Sequence, residues 1–276
     1  MNFENIVFAG GGNRCFWQAG FWLTIRDHLD SEPNHIASVS AGSAISCALF
    51  SDRFEAVYEN TLKVMTENKK NRYWKNLLNG EPIHPHNKLY RHIIKKSIDQ
   101  DGLKNLHKGP KNHILVAHIP SWLGPKAATL VGLSAYQIEK KLFQPVHPKF
   151  GRKLGFKSEF IEVQSCTTLT ELSDLIISSS CTPPFTPIMY LSGKAVLDGG
   201  MIDNIPMHGV SKFSGQTLIL CSRPYKSLPN ISGRTYVAPS TPVAVKSWDY
   251  TNPEAVKLTF QQGKKDALLF LNNFIS

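Results

Sequence analysis

The stretch Ile36-Ala37-Ser38-Val39-Ser40-Ala41-Gly42 joins a short apolar run to a second apolar segment that continues through Leu49. Ile36–Val39 has the length and composition of a short strand, and the proline-free segment from Ser40 onward reads as a helix. A serine on a sharp strand-to-helix turn, flanked by small residues, is a nucleophile-elbow pattern, which presents the hydroxyl at the end of a sheet. The first glycine of that pattern is replaced here by Ser38, a small substitute. Taken alone, Ser40 reads more readily as an ordinary helix-capping serine than as a nucleophile, so the rest of the chain has to decide.

Upstream, the apolar run Ile6–Ala9 ends in Gly10-Gly11-Gly12-Asn13-Arg14, and a helical pattern follows from Phe16 to Leu29. A glycine turn between strand and helix leaves backbone N–H groups unpaired beside a positive helix end, where an oxyanion or a phosphate is stabilised. It is not a dinucleotide fingerprint, because Cys15 stands where the third glycine belongs, and no Gly-Lys-Ser/Thr follows. Far downstream, Leu197-Asp198-Gly199-Gly200 delivers an aspartate from an apolar strand into a double-glycine turn. By itself, Asp-Gly-Gly is a turn signal.

Between these pieces, Asp52 and Glu55 have capping-box spacing for a helix over Arg53–Thr66, and Thr168 and Glu171 have it for a helix through Ile177. Ile114–His118 and Thr217–Cys221 read as strands, and Ile188–Tyr190 and Ala195–Leu197 as a hairpin around Ser192-Gly193. Asn252-Pro253-Glu254 opens a closing helix to Phe274. Lys69–Pro110, broken by prolines and glycines, is expected to be the least regular part, with one helix near Leu89–Ile98. The alternation of strands and helices predicts a three-layer α/β/α architecture around a mostly parallel sheet. Residues 1–276 are expected to form a single domain with a basic, less regular insertion at about 69–157.

With 42% hydrophobic and 19% charged residues the 276-residue chain can fill a large core, which excludes disorder and low-complexity classes. No apolar run approaches the ~18 residues of a membrane span, and no signal-peptide pattern occupies Met1–Gly20. Five scattered cysteines without CxxC spacing fit a reduced, cytoplasmic protein without disulfides or zinc. The formal charge of +10 is concentrated: Lys63–Lys157 holds 19 Lys and Arg against 5 Asp and Glu. That region suits an anionic partner, with a solvated lysine-rich face as the plain alternative. Trp74, Leu77, Leu78 and Trp122 lie within it, each expected in the core but suited to an interface if exposed.

The three turns taken together resemble the patatin-like phospholipases. The resemblance extends to the small-residue and proline segment Ser178–Pro187, to Asp203-Asn204-Ile205-Pro206, and to the closing helix around Gly263–Leu271. It implies that Ser40 is the nucleophile, Asp198 its base, and Gly10, Gly11 and Gly12 the oxyanion hole, with Arg14 supporting it. It also implies a phospholipase A or lysophospholipase acting on phospholipid or lysophospholipid, with no cofactor and no metal; the basic middle region independently suits peripheral contact with an anionic membrane. A carboxylesterase for soluble esters and a non-enzymatic lipid-binding protein are the alternatives. His208, ten residues after Asp198, is the candidate for a Ser-His-Asp triad in the usual chain order, and an elbow as early as residue 40 argues against that fold. His84, His86 and His92 cluster loosely, without a second ligand pair at zinc-like spacing. No nucleic-acid motif or aromatic platform accompanies the lysines, so nucleic acid is not an expected partner.

Overall fold

The computed structural model describes residues 1–275 except 121, 125, 126, 129, 133, 135–153 and 184. In chain order the elements are β1 (Asn5–Phe8), α1 (Phe16–Ile25), β2 (His35–Val39), α2 (Ala41–Phe50), α3 (Phe54–Glu67), α4 (His86–Ser97) and α5 (Gln100–Lys108). Then follow β3 (Lys111–His118), β4 (Lys157–Glu162), α6 (Leu169–Ser179), β5 (Met189–Leu191), β6 (Lys194–Asp198), β7 (Thr217–Leu220), β8 (Arg234–Val237) and α7 (Pro253–Ile275).

The sheet runs β5-β6-β3-β2-β1-β7-β8, with β4 also on β3. β3-β2-β1-β7-β8 is parallel throughout, whereas β4, β5 and β6 pair antiparallel. β1 and β7 are buried at every residue, as central parallel strands covered on both faces must be. Their alternation assigns the two faces. Ile6 and Phe8 pack into the core built with α1, α2, α3, α4, α6 and α7, and Val7 and Ala9 pack against Ile205, Met207 and Val210. Helices therefore cover one face, and the chain around Ile205–Val210, with its single helical turn Met207–Gly209, covers the other. The mostly parallel, layered α/β sheet matches the expectation.

α1 and α7 make the closest helix contact. A methyl group on Gly20 would lie 2.1 Å from the Phe260 carbonyl oxygen, and one on Gly263 would lie 2.1 Å from that of Trp17. Each glycine is the gap into which the other backbone fits, so the closing helix docks directly behind the glycine turn.

Three expectations need correction. Asp52 does not cap α3: it adopts φ 58°, and the N-cap, Arg53, has no side-chain cap bond. Only residues 51–53 separate α2 from α3, and so short a reversal requires a left-handed residue there. Lys69–Pro110 is more regular than its glycines and prolines suggested. Gly102 lies inside α5, donating its N–H at 2.8 Å to Asp99, the N-cap, so what read as a breaker sits in a capped first turn. Trp74, Leu78 and Trp122 are not core residues, being 62%, 88% and 72% exposed; the Leu77 side chain lies outside the described residues. The Thr168–Glu171 capping box is present, and Ser192 and Gly193 both take positive φ, the geometry of a two-residue hairpin turn. The part of the basic region over 135–153 lies outside the described residues.

Candidate active site

Ser40 sits between β2 and α2 at φ 54° and ψ −135°, a conformation that costs an L-residue about 1–3 kcal/mol. Several contacts hold it there. The Ser40 N–H donates to Ser179 Oγ at 2.8 Å, and Ser179 Oγ donates onward to the Leu115 carbonyl at 2.7 Å. The Ser40 carbonyl accepts from the Ser43 N–H and hydroxyl. Gly42 lets α2 descend onto β1, since a methyl group there would stand 2.5 Å from the Ala9 carbonyl oxygen. Ser38, in place of the elbow glycine, donates to Asn112 Oδ1 at 2.8 Å, and Asn112 Nδ2 donates to Ser46. The extra hydroxyl is thus satisfied within a buried polar network rather than left as a penalty.

The register of β3 explains how Asp198, 158 residues later, reaches Ser40. β4 pairs with His113–His118 and so occupies one edge of β3. β2 pairs with Lys111–Leu115 and β6 with Val116–His118, and both must therefore share the other edge. β2 runs parallel to β3 and ends opposite Leu115, whereas β6 runs antiparallel and ends with Asp198 opposite Val116. The two strands meet end to end, and Ser40 Oγ donates to Asp198 Oδ2 at 2.7 Å.

Asp198 is 8% exposed and Ser40 7%. Desolvation raises the Asp198 carboxyl from 3.8 to about 6, against hydrogen bonds from Ser40, the Gly200 N–H and Thr182 that lower it. Oδ1 accepts from Gly200 N at 2.7 Å, and Oδ2 from Thr182 Oγ1 at 3.3 Å. None of these partners is a histidine. His208 is exposed in the turn Met207–Gly209.

In the glycine turn, Gly10 N–H donates to the Asn204 carbonyl and Asn13 N–H to that of Ser247, both at 3.0 Å. Gly10 is thereby removed from the donors expected of an oxyanion hole. Its carbonyl accepts from Ser222 Oγ at 2.6 Å and Asn204 Nδ2 at 3.0 Å. Arg14 Nε donates to the Gly11 carbonyl at 3.1 Å. Because the C=O and N–H of a trans peptide point in opposite directions, fixing these two carbonyls aims the Gly11 and Gly12 N–H groups the other way. Neither N–H has a hydrogen-bond partner among the described residues. Gly12 has φ 59°, and a methyl group there would lie 2.1 Å from the Ser247 carbonyl oxygen.

A narrow cavity of about 50 Å³ connects Ser40 and Gly12 to an apolar wall of Ala44, Ile45, Ile93, Ile94 and Ile98 from α2 and α4. Trp248 and Tyr250 also line it. Trp248 stacks on Phe185 at 4.8 Å, and His84 and His86 pack their rings against Phe185. His86 Nε2 lies 2.7 Å from the Trp248 carbonyl oxygen. Two of the three clustered histidines therefore belong to an aromatic wall beside the cavity.

The sequence model of the patatin-like phospholipases matches residues 6–210, a span that contains the glycine turn, the elbow and the late aspartate. The chain belongs to the patatin-like phospholipase family. At the level of that family it is a lipid acyl hydrolase. No curated protein matches the chain. Among solved structures, VipD from Legionella pneumophila is similar at a TM-score of 0.48 and 11% identity, over 98% of this chain and 67% of that one. No described helix is long and apolar enough to cross a membrane.

Sequence reasoning missed Ser179, Thr182, Asn204 and Ser222. The first three lie in the two segments noted only for their resemblance, Ser178–Pro187 and Asp203–Pro206. Nothing local distinguishes Ser222 as the hydroxyl that orients the glycine turn.

Proposed function

We propose that this patatin-like protein hydrolyses fatty-acyl esters of phospholipid or lysophospholipid through a Ser40–Asp198 dyad. The observation that carries this reading is the 2.7 Å bond to a buried carboxylate from the hydroxyl of a conformationally strained Ser40 that lines an apolar cavity. A serine hydroxyl needs a base within hydrogen-bond reach, and a carboxyl raised to about 6 is ionised at neutral pH yet basic enough to take the proton.

Ser40 Oγ attacks the ester carbonyl carbon while its proton passes to Asp198. The carbonyl oxygen becomes the oxyanion, facing the Gly11 and Gly12 N–H groups held by Arg14, Ser222 and Asn204. Losing one such donor typically costs ~10²–10³ in turnover. Collapse breaks the ester C–O bond, and Asp198 returns the proton to the departing alcohol. Asp198 then takes a proton from water as the water oxygen attacks the acyl-Ser40 carbonyl carbon, and collapse breaks the C–O bond to Ser40 while Asp198 returns the proton to Ser40 Oγ, releasing fatty acid and free serine. The apolar wall of α2 and α4 takes the first methylenes of the acyl chain.

Exposed Trp74 and Leu78, next to Lys69, Lys70, Arg72 and Lys75, favour peripheral contact with an anionic bilayer. Asn68 and Asn71 tie this segment to Tyr250 and Asp249 beside the cavity. The function is tested by incubating wild type and Ser40→Ala with phospholipids, lysophospholipids and short-chain esters, with products analysed by mass. Fatty acid released from the lipids by wild type alone supports the reading. Turnover confined to short-chain esters would make the protein a soluble-ester carboxylesterase, and no release from any substrate would point to a non-enzymatic lipid binder.

A further inference from the structure

A second cavity, of about 320 Å³, adjoins the same glycine turn. Arg14, Arg223 and Lys246 line it, the remaining described wall is proline, valine and Ser247, and none of its described lining residues is acidic. Ser247 also lines the acyl cavity beside Ser40. The sheet explains the arrangement. β2, β1 and β7 are parallel neighbours, and their carboxyl ends carry Ser40, the Gly10–Arg14 turn and Arg223 in that order. Two strand spacings put β2 and β7 roughly 10 Å apart, with the unpaired N–H groups of the turn between them. Ligands of α/β sheets gather at such strand ends.

We infer that Arg223 and Lys246, together with Arg14, form a subsite for the phosphate of a glycerophospholipid headgroup whose acyl ester lies at Ser40. The inference rests on the hydrolase reading above and deepens it by assigning residues to the phosphate end of its substrate. With the carbonyl at the glycine turn and the chain along α2 and α4, the glycerol unit is left beside Ser247, the residue that lines both cavities. Guanidinium forks bind phosphate oxygens in pairs, and a lysine adds a point charge. Arg223 lies over the Tyr225 ring with 4.7 Å to the centroid, which restrains its guanidinium. Asp249 takes part of the Lys246 field, but Asn71 and Thr251 already hydrogen-bond its carboxylate. Arg14 lines this pocket as well, while its Nε orients the Gly11–Gly12 peptide from the carbonyl side.

The test compares wild type with the Arg223→Gln/Lys246→Gln double variant on 1-oleoyl-lysophosphatidylcholine and 1-oleoylglycerol in the same mixed micelles. The two lipids share the acyl chain and the ester and differ in the phosphocholine group. The ratio of kcat/KM, lysophospholipid over monoacylglycerol, should fall at least tenfold in the variant. An unchanged ratio, including an equal loss on both substrates, overturns the inference. In a second arm, sn-glycerol 3-phosphate should inhibit wild-type hydrolysis of 1-oleoylglycerol better than inorganic phosphate does, and less well in Arg223→Gln. Equal inhibition by both anions would assign the pocket to free phosphate and contradict the headgroup. If wild type hydrolyses neither lipid, the hydrolase reading has failed separately. Calorimetric binding of glycerol phosphate to wild type and Arg223→Gln then decides the subsite: binding lost in the variant upholds it, and binding absent or unaltered rejects it.

Discussion

Asp198→Asn should inactivate the protein and at the same time stabilise it, with the stabilisation growing as pH rises. Burial raises the folded-state carboxyl from 3.8 to about 6. Between those values the folded state binds a proton that the unfolded chain has released, so this group favours folding at low pH. Its contribution is complete below 3.8 and is lost as pH climbs through 6. At about 1.4 kcal/mol per unit, a shift of roughly two units makes ionised Asp198 a burden of about 3 kcal/mol at pH 8. Asparagine keeps the shape and an oxygen for the Gly200 N–H without the charge. Urea denaturation of wild type and Asp198→Asn at pH 4 and pH 8 should therefore show the gap between them widening by about 2 kcal/mol in favour of the variant. At pH 8 the thermal midpoint of the variant should be higher by about 6 °C, given roughly 2 °C per kcal/mol for a chain of this size. A gap that is constant with pH, or that narrows toward pH 8, would refute the desolvated carboxylate on which the dyad depends.

The kcat/KM profile of wild type should fall on the acid side with an apparent pKa near 6, read from initial rates on a soluble ester, as Asp198 protonates. His208→Ala should fold and retain most of its turnover, because Asp198 already has Ser40, Thr182 and the Gly200 N–H as partners; a variant as dead as Asp198→Asn would move the assignment to a triad. Ser179→Ala leaves the buried Ser40 N–H without its acceptor, so denaturation should show a loss of about 1–3 kcal/mol together with a lower kcat. Charge reversal at Lys69, Lys70 and Arg72 should weaken sedimentation with anionic vesicles, by up to ~1 kcal/mol per side chain at the surface, and spare a soluble ester.

The local chemistry of the site was legible because it is written in short stretches. Strand, glycine turn and helix follow one another within Ile6–Ile25, and again around Ser40, so composition alone places the turns. The pairing of Ser40 with Asp198 is different in kind. It depends on β2 and β6 ending at adjacent positions along one edge of β3, a register no local pattern encodes. The same limit hid Ser222 and narrowed the glycine turn from three donors to two. Whether a backbone N–H is free depends on a carbonyl nearly two hundred residues away, as at Gly10 and Asn204. α5 is hidden in the sequence because Gly102 reads as a breaker until Asp99 is seen to cap the first turn, and Asp52 has the spacing of a cap without its geometry because spacing carries no information about φ. Trp74 and Leu78 show that apolar identity does not fix burial: a short 3-10 helix over Trp74–Asn79 leaves both in solvent.

The most direct test of the Ser40–Asp198 dyad is covalent labelling with a long-chain alkyl fluorophosphonate, followed by peptide mass mapping. One adduct is expected, on Ser40, formed at a rate that falls below pH 6 and drops by orders of magnitude in Asp198→Asn. Labelling of Ser40 at an undiminished rate in Asp198→Asn, or an adduct on any serine other than Ser40, would contradict the dyad.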